Sequence, residues 1–207
     1  MTGSAAPGDE IRILALGDSY TIGESVTAAE RWPMQLAAML REQGRAVAKP
    51  EIVAFTGWTT DELAAAIETE MPRGLFDIVS LLIGVNNQYR GRATGEYRGE
   101  FRSLLEQAIV FAGERPSRVI VISIPDWGVM PFAAGRDAAA IAGEIDAYNA
   151  VNRDEAGRAG APYADITPIS RRASGEPELV AGDGLHPSGA MYAEWARLIL
   201  PMVCAAL

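Results

Sequence analysis

Histidine occurs once in the 207 residues, at position 186. Imidazole is the side chain that trades a proton in the physiological range, so base chemistry of that kind must pass through His186. It stands in Asp183-Gly184-Leu185-His186-Pro187, with a carboxylate three residues earlier and glycines at 182 and 184 that permit a tight turn. On such a turn the Asp183 carboxylate reaches the ring, fixes its tautomer and stabilises the imidazolium. At the other end of the chain Gly17-Asp18-Ser19-Tyr20 follows the apolar run Ile11 to Leu16. A serine hydroxyl is a poor nucleophile at neutral pH and needs a base beside it. Together the two segments supply the parts of a hydroxyl nucleophile and its oriented base. Each alone has a plainer reading, a turn-forming serine and an incidental loop histidine.

Bringing positions 19 and 186 together requires a scaffold, and short apolar runs alternating with helical patterns supply one. Strands are expected at 11–16, 51–55, 77–83, 118–124 and 162–166. Helices are expected at 30–44, from Thr59 to before Pro72, and at 95–113, 137–160 and 188–207. Trp32, Leu36, Met39 and Leu40 recur at helical spacing, and so do Phe101, Leu104, Leu105, Ala108 and Ile109. The nearly continuous apolar run at 77–83 predicts a strand covered on both faces. Strictly alternating strands and helices predict an α/β fold of three layers, α/β/α, on a flavodoxin-like five-stranded parallel sheet. In such sheets ligands bind at the carboxyl ends of the strands, where Ser19 falls. Residues 1–10 are expected to be a flexible N-terminus and residues 11–207 one domain.

Four motifs in order along this scaffold resemble the blocks of the SGNH (GDSL-type) hydrolases: Gly17-Asp18-Ser19-Tyr20, Gly57 in Phe55-Thr56-Gly57-Trp58, Gly84-Val85-Asn86-Asn87, and Asp183 to Pro187. The resemblance implies a carboxylic ester hydrolase with Ser19 as nucleophile, His186 as base and Asp183 orienting it. It implies an oxyanion hole of the Ser19 and Gly57 backbone N–H groups and the Asn86 side chain. Preorganised neutral donors around a developing oxyanion are what such chemistry needs. The third block commonly ends in Asp, where this chain has Asn87. Tyr20 and Trp58, within the motifs, and Trp127, Met130 and Phe132, in the apolar loop 125–136, are candidates to touch substrate. The implied substrates are short acyl or acetyl esters, thioesters or lysophospholipids, with no cofactor and no metal.

Composition bounds the alternatives. Lys and Arg number 18 against 27 Asp and Glu, a net charge of −9 that disfavours nucleic acid and anionic lipid as partners. No apolar stretch is long enough for a membrane span. The opening residues Met1 to Glu10 carry neither a basic start nor an apolar run, so a cytoplasmic protein acting on a small soluble ester is expected. One cysteine, Cys204, excludes an intramolecular disulfide. The competing readings are a non-catalytic flavodoxin-like binding module and metal-dependent hydrolysis. One histidine and no cysteine pair make the latter poor. Nothing in the sequence signals an oligomeric state.

Overall fold

The computed structural model describes residues 10–207; the flexible segment expected at 1–10 lies, but for Glu10, outside them. Five strands, β1 (Ile13–Gly17), β2 (Glu51–Ala54), β3 (Ile78–Leu82), β4 (Val119–Ile122) and β5 (Tyr163–Ala164), form one parallel sheet in the order β2-β1-β3-β4-β5. Every residue of β1, β3 and β4 is buried, which is why these segments read as unbroken apolar runs. β2, at one edge, is exposed or half-buried at every residue but Val53. The helices are α1 (Ser19–Ile22), α2 (Trp32–Glu42), α3 (Thr60–Glu70), α4 (Val85–Tyr89), α5 (Thr94–Phe111), α6 (Ala138–Ala159), α7 (Thr167–Arg171) and α8 (Gly189–Ala206).

Strand order dictates the layers. The chain moves one way from β1 to β2 and the other way in every later crossover, and right-handed crossovers in opposite directions lie on opposite faces. α2 therefore covers one face, packed along α8, while α3, α5 and α6 pack in sequence on the other. α8 supports this by burying Tyr192, Trp195, Ala196, Ile199 and Val203 on one stripe, and α2 by burying Trp32, Leu36 and Leu40. The reversal of direction falls between β1 and β3, which opens a crevice at their carboxyl ends.

The fifth strand is shorter than the expected 162–166. Ser123 explains this. Its backbone N–H still pairs with Ala164, but its hydroxyl oxygen accepts from the N–H groups of Ile166 and Thr167 and turns the chain into α7. The loop expected at 125–136 contains two short 3₁₀ turns, at Trp127–Val129 and Pro131–Ala133.

Candidate active site

The first turn of the site is built where β1 meets α1. A Cβ on Gly17 would lie 2.2 Å from Thr21 Oγ1 and 2.5 Å from the Leu82 carbonyl, so only glycine lets α1 fold back against β3. Asp18 caps α1 by accepting from the Tyr20 N–H at 3.0 Å. Ser19 is then the first residue of α1, 4% exposed, and its N–H is one of those that a helix start leaves without an intrahelical acceptor.

The neighbouring strand β3 ends in a second tight turn. Gly84 has φ +127, and a Cβ there would sit 2.3 Å from the Tyr97 hydroxyl, which lies within hydrogen-bond distance of Ile83 O and Asn152 Oδ1. Glycine at this point starts α4 at once and sets Asn86 and Asn87 on its first turn with different surroundings. Asn86 lines a cleft, and one proton of its Nδ2 donates to Trp58 O at 2.9 Å, which fixes the amide and leaves its other proton uncommitted. Asn87 is buried; its Oδ1 accepts from Thr60 N–H at 3.1 Å and its Nδ2 donates to Thr60 Oγ1 at 2.6 Å. The Thr60 hydroxyl donates in turn to Glu100, so the acceptor that an Asp would bring at 87 is already supplied from α5.

His186 reaches the cleft from the loop before α8. Asp183 Oδ1 accepts from Leu185 N–H and His186 N–H, both at 2.9 Å, a side-chain-closed turn that brings the imidazole back onto its own carboxylate. His186 Nδ1 lies 2.6 Å from Asp183 Oδ2. A carboxylate only accepts, so Nδ1 carries a proton, and in the neutral tautomer this selects Nε2 is the nitrogen able to accept one. Of the two glycines expected to permit this turn, Gly184 takes φ +73 and Gly182 does not enter the left-handed region. The ring is 6% exposed and rests on Tyr20, with centroids 5.2 Å apart. Ser25, which sequence reasoning missed, donates its hydroxyl to Asp183 Oδ2 at 2.6 Å from a backbone at φ +63. Partial burial works to raise the Asp183 carboxyl, but hydrogen bonds from Ser25, the His186 ring and two backbone N–H groups outweigh it and hold it well below the usual carboxylate range.

Ser19, Tyr20, Val85, Asn86, Tyr89, Trp127, Phe132, Leu185 and His186 surround one cleft of about 180 Å³. Of the residues that the sequence singled out, six thus meet there, and Asp183 stands behind His186. No hydrogen bond joins Ser19 to His186 among the described residues; the two side chains share the cleft. Gly57, at φ +86 with its carbonyl held by Arg90 Nη2 at 2.7 Å, is not in the lining. Trp58 turns away to pack on Phe55 and contributes only its carbonyl. Met130 is buried under the 3₁₀ turn at 127–129 and lines no part of the cleft. Tyr89 and Val85 were not foreseen because α4, which presents both, is too short to leave a periodic pattern. Among the described residues no group of three or more His, Cys, Asp or Glu is placed to hold a metal ion.

Asp18 adds an electrostatic feature directly before Ser19. It is fully buried, Oδ2 has no partner among the described residues, and burial pushes its carboxyl up to about 7 against the Tyr20 N–H, which lowers it. The folded chain therefore keeps a proton that the unfolded chain releases near the ordinary value of 3.8. Between those limits the folded state binds more protons, so stability is lost as pH rises, fully by above pH 7. The depressed carboxylates such as Asp61, held at about 2 chiefly by Arg92 against its desolvation, act below that window. Thermal midpoints across pH 5–8 are expected to fall in the wild type and to flatten in Asp18→Asn; parallel curves would contradict the assignment.

A family profile described as the GDSL-like lipase/acylhydrolase family matches residues 15–194. No curated protein matches the chain in sequence. Among solved structures, TesA matches with a TM-score of 0.73 at 18% identity, covering 95% of this chain and 99% of that one. The lipase/acylhydrolase from Enterococcus faecalis matches at 0.69 and 23% identity, covering 94% and 96%. Axe2, an acetylxylan esterase from Geobacillus stearothermophilus, matches at 0.71 and 20%, covering 95% of each chain. At these identities the structural likenesses establish the shared fold.

Proposed function

The chain belongs to the GDSL-like lipase/acylhydrolase family, and from that premise we propose that it hydrolyses short acyl esters, acetyl esters among them, through an acyl-enzyme on Ser19. His186 Nε2 takes the Ser19 proton as Oγ attacks the ester carbonyl, and returns a proton to the leaving alkoxide. Asp183 stabilises the imidazolium formed in between. The carbonyl oxygen, negative in the tetrahedral intermediate, is received by the Ser19 N–H and the free proton of Asn86 Nδ2, and the family resemblance adds as third donor the N–H of Gly57, which stands outside the cleft lining but next to the Trp58 carbonyl that fixes the Asn86 amide. A water activated by the same imidazole then releases the acid.

The observation that carries this reading is the carboxylate-locked His186 opening on the cleft that holds Ser19 and Asn86. Substrate size follows from the same cleft. A volume of about 180 Å³, about six water volumes at roughly 30 Å³ each, matches a short acyl group beside Tyr20, Trp127 and Phe132. Among the described residues no helix is long and apolar enough to cross a membrane. The test is a p-nitrophenyl ester series from acetate to palmitate, with a phosphonate label located by mass spectrometry. Turnover is expected to peak at two to four acyl carbons with the label on Ser19 (about this size by the volume argument); a palmitate optimum or a label elsewhere contradicts the reading.

Asn86 tests the oxyanion hole separately from the base. A donor that acts mainly in the transition state affects kcat, so Asn86→Ala is expected to lower kcat by about 10²–10³ with little change in KM or melting temperature. Asn87→Ala is expected to do the reverse. It leaves a buried Thr60 N–H without its acceptor, which costs about 1–3 kcal/mol of stability, while kcat of the folded protein changes less. A kcat for Asn86→Ala within about threefold of wild type excludes the oxyanion role.

A further inference from the structure

Tyr89, Trp127 and Phe132, three rings that line the cleft, share one cation, Arg136, which is not itself among the lining residues. The guanidinium carbon of Arg136 lies 5.3 Å from the Tyr89 ring centroid, 5.1 Å from that of Trp127 and 5.5 Å from that of Phe132. The rings brace one another, with centroids 5.3 to 6.5 Å apart, and Trp127 is fixed by its Nε1 donating to Gln88 Oε1 at 2.8 Å. A guanidinium stacked on aromatic faces is held in orientation while its N–H donors still point outward in its plane.

Only one of those donors is used within the chain, among the described residues. Arg171 is paired with Asp126 and Asp146, and Arg153 with Asp165, but no carboxylate pairs with Arg136 among the described residues. One of its five N–H groups donates to the Tyr89 hydroxyl at 3.2 Å, and the side chain is exposed. In a chain of net charge −9 the surrounding field repels anions, so an oriented cation with no carboxylate partner, held on the aromatic rings of an apolar cleft, selects for one locally.

We propose that Arg136 and the three rings form a subsite for a carboxylate carried by the ester substrate, away from the scissile bond. The rings take the apolar arm and the guanidinium fork takes the carboxylate. The substrate class is then carboxylate-bearing short esters, and the assignment rests on the Ser19 ester-hydrolase reading above. Arg136 acts on specificity and takes no part in the chemical step.

Two matched pairs test it: mono-4-nitrophenyl adipate against its methyl ester, with the charge on the acyl side, and 4-acetoxybenzoate against its methyl ester, with the charge on the leaving side. The readout is the anionic-to-neutral ratio of kcat/KM in wild type, Arg136→Gln and Arg136→Lys. In at least one pair the ratio is expected to fall about tenfold in Arg136→Gln, to recover in part in Arg136→Lys, and to shrink with added salt in the wild type. A role limited to bracing the rings would lower both members of a pair together and leave both ratios unchanged, which overturns the proposal. Absence of hydrolysis of all four esters by the wild type overturns the ester-hydrolase reading, and this one with it.

Discussion

Ser19→Ala is expected to lower kcat for ester hydrolysis by on the order of 10⁴ or more, with a thermal midpoint close to wild type. The stability half of this expectation comes from the turn itself. α1 is capped by Asp18 on Tyr20 N–H, the close approach to β3 depends on Gly17, and no hydrogen bond that holds the turn uses the Ser19 hydroxyl among the described residues. Removing Oγ therefore deletes the atom that forms the acyl bond and little else. Residual hydrolysis should reflect the oxyanion donors and binding alone. Steady-state kinetics on p-nitrophenyl acetate, with phosphonate labelling of both proteins, checks it. Activity retained in the variant, with the label undiminished, would require another nucleophile.

Asp183→Asn and His186→Gln should lose activity on a similar scale, for different reasons. Asp183 accepts four hydrogen bonds: two backbone N–H groups on Oδ1, and Ser25 Oγ and His186 Nδ1 on Oδ2. An amide at 183 sets an N–H₂ against donors, drives the imidazole to the tautomer that protonates Nε2, and is expected to cost roughly 10⁴ in kcat. His186→Gln removes the base outright, and with it the rise of activity with pH that an unprotonated base imposes. Asp18 complicates that profile, because burial pushes its carboxyl up to about 7 next to Ser19. The ionisation that disappears in His186→Gln but persists in Asp18→Asn belongs to the base. A His186→Gln enzyme with near wild-type rate and an unaltered pH profile would require a different base.

Much of this arrangement was legible in the residues because its determinants are local. The buried runs of β1, β3 and β4 and the stripes of α2, α5 and α8 are written in consecutive side chains, and the alternation of elements then leaves few topologies. Asp183 and His186 were legible as a pair for the same reason, being three residues apart on one turn. What escaped is either too short or too distant. α1, α4 and α7 have four or five residues, less than the span over which a helical period can be read, and missing α4 meant missing Tyr89. Ser25 reaches Asp183 across 158 positions, and nothing near residue 25 announces it. Trp58 and Met130 were named for their apolar character. Local backbone direction, set by the turn at Gly57 and the 3₁₀ turn at Trp127–Val129, turned one aside and the other inward.

The backbone hydrogen bond from Phe132 N–H to Gly184 O, 2.9 Å long, has a consequence for engineering. It ties the segment that carries the aromatic wall to the turn that carries Asp183 and His186, while the wall segment is anchored at its start by Asp126 on Arg171 at 2.9 Å. Ser19, by contrast, stands at the end of a central strand with no hydrogen bond to the wall among the described residues, while α4, which carries Asn86, meets the wall through Trp127 Nε1 on Gln88 Oε1 at 2.8 Å. Grafting a foreign loop at 126–136 to alter substrate range would therefore disturb the base before it disturbed the nucleophile. Libraries that vary the two segments jointly, 126–136 together with 179–188, should yield more active recombinants than libraries that vary either alone, because the unit of exchange is the tethered pair.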